Sequence, residues 1–136
     1  MAFSLIEDIS GAPAVKRSFL MTNSEACTAG EALMFSSGRL TKLTGGNKPA
    51  VIAAETKAAG TDVSVECYLI SPTQIWEVGY TGVPDAGFVV GCNSADIDGT
   101  GLLINAADVV GGAFSIVSKD TTNSKVTGFF VGRQLN

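Results

Sequence analysis

Asp62-Val63-Ser64-Val65-Glu66-Cys67-Tyr68-Leu69 alternates polar and apolar side chains with a period of two. Along an extended chain, successive side chains point to opposite faces. Val63, Val65, Cys67 and Leu69 therefore share one face, and Asp62, Ser64 and Glu66 the other. The segment reads as a half-buried β-strand. A second run sets Trp76, Val78 and Tyr80 against Ile75, Glu77 and Gly79. Near the end, Ala113-Phe114-Ser115-Ile116-Val117-Ser118 and Val126-Thr127-Gly128-Phe129-Phe130-Val131 flank Asp120-Thr121-Thr122-Asn123. Turn formers between two β-rich runs predict a hairpin.

Weaker strands continue the pattern at Lys16 to Thr22, Ala32 to Phe35, Arg39 to Leu43 and Val51 to Ala54. Ser36-Ser37-Gly38 and Gly45-Gly46-Asn47 separate some of these runs. Helix signals are poor. Glu25 to Ala32 and Asn105 to Val110 offer a turn or two each, without a long amphipathic stripe. The expectation is a single mostly-β domain spanning residues 15–136. Residues 1–14 show no clean alternation yet hold Phe3, Leu5, Ile6 and Ile9. Such a terminus is either a strand covering its own sheet or an arm reaching to a partner.

Composition removes several function classes. The 136 residues carry a formal charge of −4, and only 16% are charged. No basic cluster exceeds Lys16-Arg17, so the phosphate-neutralising footprint of a nucleic-acid binder is missing. No apolar run has the length of a membrane span, and the acidic start MAFSLIEDISG does not read as a secretion signal. Cys27, Cys67 and Cys92 form no CxxC pair and read as core fillers. Histidine is absent, which removes the commonest general base and zinc ligand.

The remaining motifs do not assemble a reaction centre. Gly99-Thr100-Gly101 lacks the third glycine of a dinucleotide loop, where Ile104 stands, and Gly45-Gly46-Asn47-Lys48 is followed by Pro49 rather than Ser or Thr. Asp96-Ile97-Asp98-Gly99 opens like a calcium loop, but the twelfth position is Ala107, so an Asx turn is the simpler reading. No Ser-His-Asp triad is available. Trp76, Tyr68 and Tyr80 have stacking potential; Trp76 and Tyr80 share strand parity, Tyr68 is on the more polar side of its strand, and packing in a core or subunit interface is the simpler reading. The expectation is a non-enzyme without metal or cofactor.

One family texture matches the order of segments. Thr28-Ala29-Gly30-Glu31-Ala32-Leu33, Ser37-Gly38-Arg39-Leu40 and Val51-Ile52-Ala53-Ala54-Glu55 resemble the front half of head decoration, or capsid cement, proteins of tailed bacteriophages. Ile75-Trp76-Glu77-Val78, Asp98-Gly99-Thr100-Gly101, Gly111-Gly112-Ala113-Phe114-Ser115-Ile116 and the closing hairpin are similar to the back half. The resemblance covers about residues 28–132; the longer N-terminal lead departs from it. It implies a small β-barrel or β-tulip-like domain with an N-terminal extended arm, commonly a homotrimer. Such proteins are made in the host cytoplasm and sit on the outer surface of the capsid, where major capsid protein subunits meet. Phe3, Leu5, Ile6 and Ile9 are then the expected capsid-contact residues. Two rival expectations are a carbohydrate- or receptor-binding domain of a phage tail, using Trp76 and Tyr68, and a subunit of a tail tube or fibre.

Overall fold

The computed structural model describes residues 1–44 and 46–135. Among them no helix forms, and the chain is all-β. Its strands are β1 (Ser4–Asp8), β2 (Lys16–Leu20), β3 (Ala32–Ser36), β4 (Arg39–Lys42), β5 (Val51–Ala53), β6 (Ser64–Leu69), β7 (Gln74–Thr81), β8 (Asp96–Ile97), β9 (Ile104–Asn105), β10 (Phe114–Asp120) and β11 (Lys125–Phe130). Two sheets result. One runs β2-β6-β5-β3-β4; the other runs β10-β11-β7-β9-β8 and adds β1 against β7.

The deciding strand behaves as its pattern predicts. Along β6, Val65 and Cys67 are buried while Ser64 and Glu66 are exposed. β3 turns into β4 through Ser37 and Gly38, both at positive φ, with Ser36 opposite Arg39. Two left-handed residues are what a tight hairpin with matching twist requires. The C-terminal hairpin joins β10 to β11 with Asp120 opposite Lys125. The Asp120 carboxylate accepts from the backbone N and the side-chain Nδ2 of Asn123, which holds its own turn closed. The helical turns anticipated at 25–32 and 105–110 are irregular loop and short strand instead. Neither segment has an apolar stripe whose burial would favour a helix over these tertiary contacts.

At the centre of the five-stranded sheet both faces are covered, and β5 (Val51–Ala53) has no exposed residue. Leu33, Val51, Ala53, Val65 and Cys67 meet Met21, Cys27, Leu40 and Ala50 on one side. Ala32 and Ile52 face the other side, joining Trp76, Val78, Phe114, Ile116, Val126 and Phe130 of the six-stranded sheet. Alternation along a strand thus separates two cores.

Of the two readings of the N-terminal segment, the structure shows a strand on the domain's own sheet over Ser4–Asp8. β1 pairs antiparallel with β7, and Phe3 is buried, with only 4% of its surface exposed. At Glu77 the opposite edge of β7 is already taken by Thr127 of β11, so Ser4 completes a sheet interior. Phe3 packs against Phe130 at 5.1 Å and Phe114 at 5.9 Å between ring centroids. Gly30 lets this strand pass close by. A Cβ there would lie 2.6 Å from that of Ala2, and its carbonyl accepts from Phe3 N at 3.1 Å. The register shifts between Leu5 and Glu7, leaving Ile6 as an extra residue. A bulge resets side-chain parity, which is why the segment shows no alternation in sequence although it is a strand.

Candidate interaction surface

Several residues singled out by sequence are committed to structure. Trp76 is fully buried, edge-on to Tyr68 at 5.9 Å and to Phe130 at 6.0 Å. Its ring has no free face for a sugar, which removes the premise of a Trp76-Tyr68 stacking surface. Tyr80 lies against Phe88 at 4.9 Å. Cys27 and Cys67 are buried, and loss of solvent pushes both thiols up, Cys67 to about 12. They are packing groups at neutral pH.

The acidic cluster forms turns. Asp98 Oδ1 accepts from both the backbone N and the hydroxyl of Thr100, at 3.0 and 2.6 Å. That is an Asx turn. Asp96 is half-buried, and desolvation raises its carboxyl, with Asp108 adding to the rise. Among the described residues no set of three His, Cys, Asp or Glu side chains is arranged to hold a metal ion. Gly45 of the glycine loop lies outside the described residues.

What the fold leaves uncovered is the outward face of the six-stranded sheet. Trp76 and Val78 of β7 point inward, so Ile75 and Glu77 point out. On β11, Val126 and Phe130 are buried, which turns Lys125, Thr127 and Phe129 outward. One step beyond the Gly128–Trp76 pair, the register brings Phe129 level with Ile75. Ile9 extends β1 by donating its N–H to Thr73 O at 3.0 Å, and its side chain is 62% exposed.

This face has two halves. Toward one end, Lys125 and Glu77 pair at 3.5 Å and the Ser118 and Thr127 hydroxyls hydrogen-bond. Toward the other, Ile9, Pro72, Phe129 and Val131 line a shallow groove of about 380 Å³ with Ser115 and Arg133. Val117, the residue skipped by the register shift in β10, is also exposed at this face. Of the four expected contact residues, Ile6 and Ile9 are therefore outside, whereas Phe3 is buried and Leu5 packs against the core. Val131, absent from that expectation, is exposed, and Phe129 two residues before it is half-buried. Outward parity on β11 is the sequence signal that could have found Phe129.

A second apolar exposure lies on loops. Asp85 N donates to Ala106 O at 2.9 Å and Gly112 N to Ser94 O at 2.9 Å, lacing the loops after β7 and β9 together. Val83 and Val110 project from them almost fully exposed, at 84% and 82%.

Comparison with protein-family models, curated proteins and solved structures finds no match for this chain.

Proposed function

We propose that this chain is a structural virion protein. In this reading it binds the outer surface of an icosahedral phage head, at junctions of major capsid protein subunits, and stabilises the shell as a homotrimer. The observation that carries the reading is the apolar half of the six-stranded sheet's outward face, where exposed Ile9 and Val131 and half-buried Phe129 line one groove with Ser115. Large aliphatic and aromatic side chains grouped on a surface favour association, at about 1.5–3 kcal/mol for each one fully buried. The low charged fraction of 16% also lowers the desolvation cost of flat contact.

The order of segments resembles decoration proteins, and the five-stranded sheet supports a barrel- or tulip-like description. Met21, just beyond β2, bridges in parallel to Leu40 of β4, and Thr22 N donates to Leu40 O at 2.8 Å, linking the sheet's two edge strands. A cement protein works by touching several subunits at once, so that releasing one subunit requires breaking contacts to its neighbours.

The decisive experiment mixes the purified chain with heads assembled from the major capsid protein encoded in the same genome, followed by co-sedimentation and a dissociation challenge. Saturable binding, with heads that resist dissociation longer, supports the reading. Absence of binding refutes it. Sedimentation of the chain alone separates the tube rival: an open-ended polymer, rather than a discrete small oligomer, favours a tail tube or fibre subunit.

A further inference from the structure

One charged residue lines the apolar groove. Arg133 follows Val131 by two residues and lines the groove with it, half-buried. Among the described residues it belongs to none of the ion pairs, and its Nε is buried without an acceptor. The rest of the lining, Ile9, Pro72, Ser115, Phe129, Phe130 and Val131, carries no charge. Glu7, opposite Ile75 on the same outward face, is not part of the lining, and no ion pair joins it to Arg133.

A guanidinium held half out of water beside apolar walls is poorly solvated, and among the described residues it has no counter-charge. A carboxylate is the group whose geometry matches its planar fork. We propose that this groove takes an extended segment of a partner protein carrying an aspartate or glutamate beside a large apolar side chain. The apolar side chain lies over Phe129 and Val131, between Ile9 and Pro72, while the carboxylate pairs with Arg133. The partner's acid supplies specificity and the apolar contact supplies area, the usual division between a charged rim and a dry centre. This assignment rests on the adhesive reading above and names the surface and the chemistry of its partner.

The test titrates the full chain with the blocked peptide acetyl-Leu-Phe-Glu-Leu-amide and its glutamine counterpart, followed by amide chemical shifts. Shifts confined to Ile9, Ser115, Phe129, Val131 and Arg133 are expected, with the glutamine peptide at least about tenfold weaker. Arg133→Gln should bring the two peptides to equal affinity, and Arg133→Lys should restore part of the difference. Equal binding of both peptides to the unaltered chain, shifts elsewhere, or no shift at about 10 mM peptide would each overturn the assignment. Arg133→Glu is then compared with the unaltered chain on assembled heads. If both bind equally, the groove is not the contact and the adhesive reading stands; if the unaltered chain does not bind, that reading itself falls.

Discussion

The side-chain amide of Gln134 pairs with the backbone of Phe35 as a neighbouring strand would. Its Oε1 accepts from Phe35 N at 2.6 Å and its Nε2 donates to Phe35 O at 2.9 Å. β3 pairs with β5 only at Ala32 and Leu33, so Phe35 presents an edge that β5 does not cover. An unpaired edge is a template for association with another chain. Gln134 supplies one peptide-like group there, and its own N–H is anchored on Pro49 O at 2.8 Å.

Gln134→Ala is expected to lower stability by about 1 kcal/mol, the net worth of exposed hydrogen bonds to backbone. It should also increase self-association, because the edge at Phe35 becomes available. Urea unfolding and sedimentation velocity measure the two effects. Unchanged values in both would show that the carboxamide contributes nothing.

Phe3→Ala is expected to destabilise the fold by about 3–5 kcal/mol, as for other buried aromatic truncations. Phe3 fills space between Phe114 and Phe130, and collapse there is opposed by the two sheets. Deletion of residues 1–8 should leave one edge of β7 unpaired along Gln74–Glu77, empty the Phe3 site and unfold the domain. Circular dichroism of the truncated chain checks this directly; a stable, cooperatively folded product would restore the idea of a separable arm.

Gly128→Ala should cost about 3 kcal/mol or more, or prevent folding. A Cβ at Gly128 would fall 2.8 Å from Phe114 and even closer to the Ser115 carbonyl oxygen. Backbone cannot swing aside as a flexible side chain can. Gly38→Ala is the contrast, since no atom lies within 4 Å of its Cβ position and only its φ of +80° opposes the change. The first variant should fail in soluble expression where the second survives.

The buried carboxylate of Glu31 and its exposed partner Lys42 should respond unequally. Glu31 accepts from Thr28 N at 3.0 Å and from Lys42 Nζ at 3.2 Å, with side-chain exposures of 1% for Glu31 and 54% for Lys42. Glu31→Ala removes the turn's acceptor and should cost about 2 kcal/mol. Lys42→Ala leaves the Thr28 bond intact, and water can take the ammonium's place, so about 1 kcal/mol or less is expected. Equal losses in denaturant titrations would contradict this asymmetry.

Alkaline pH should weaken the fold through Cys67. Burial keeps its thiol protonated up to about 12, against 9.0 for the free group. Below pH 9.0 both states hold the proton and the stabilising difference is fully present. Between the two values the unfolded chain releases a proton that the folded chain retains, so stability falls as pH rises. The difference in unfolding free energy between the unaltered chain and Cys67→Ala should therefore shrink from pH 8 to pH 11. A constant difference would show that the buried thiol is not the cause. A thiol reagent at pH 8 should likewise leave Cys67 unmodified until the protein unfolds.

How far the sequence reaches is visible in three segments. In β6 and β7 the alternate residues Val65, Cys67, Trp76 and Val78 are buried and the residue before each is not, so the period of two survives over the middle of each strand and both were legible. In residues 4–9 the extra residue at Ile6 reverses parity midway, and a strand was indistinguishable from an arm. In β5 both faces are covered, so the apolar run Val51–Ala53 carried no facing information at all. The exposed groove was legible only in part, because Ile9 lies near the opposite end of the chain from Phe129 and Arg133, and only the register of β1, β7 and β11 brings their positions together.

By itself the sequence determined that this chain is built of strands, that its hairpins turn at Ser37-Gly38 and after Asp120, and that its cysteines serve packing. Those outcomes are local, fixed by side-chain alternation and turn chemistry within a few residues. Tertiary structure alone decided that Phe3 belongs to the core, that Trp76 has no free face, and that Arg133 lines an apolar groove. Each of these depends on which strand lies beside which, and long-range pairing leaves no trace in a neighbourhood of ten residues.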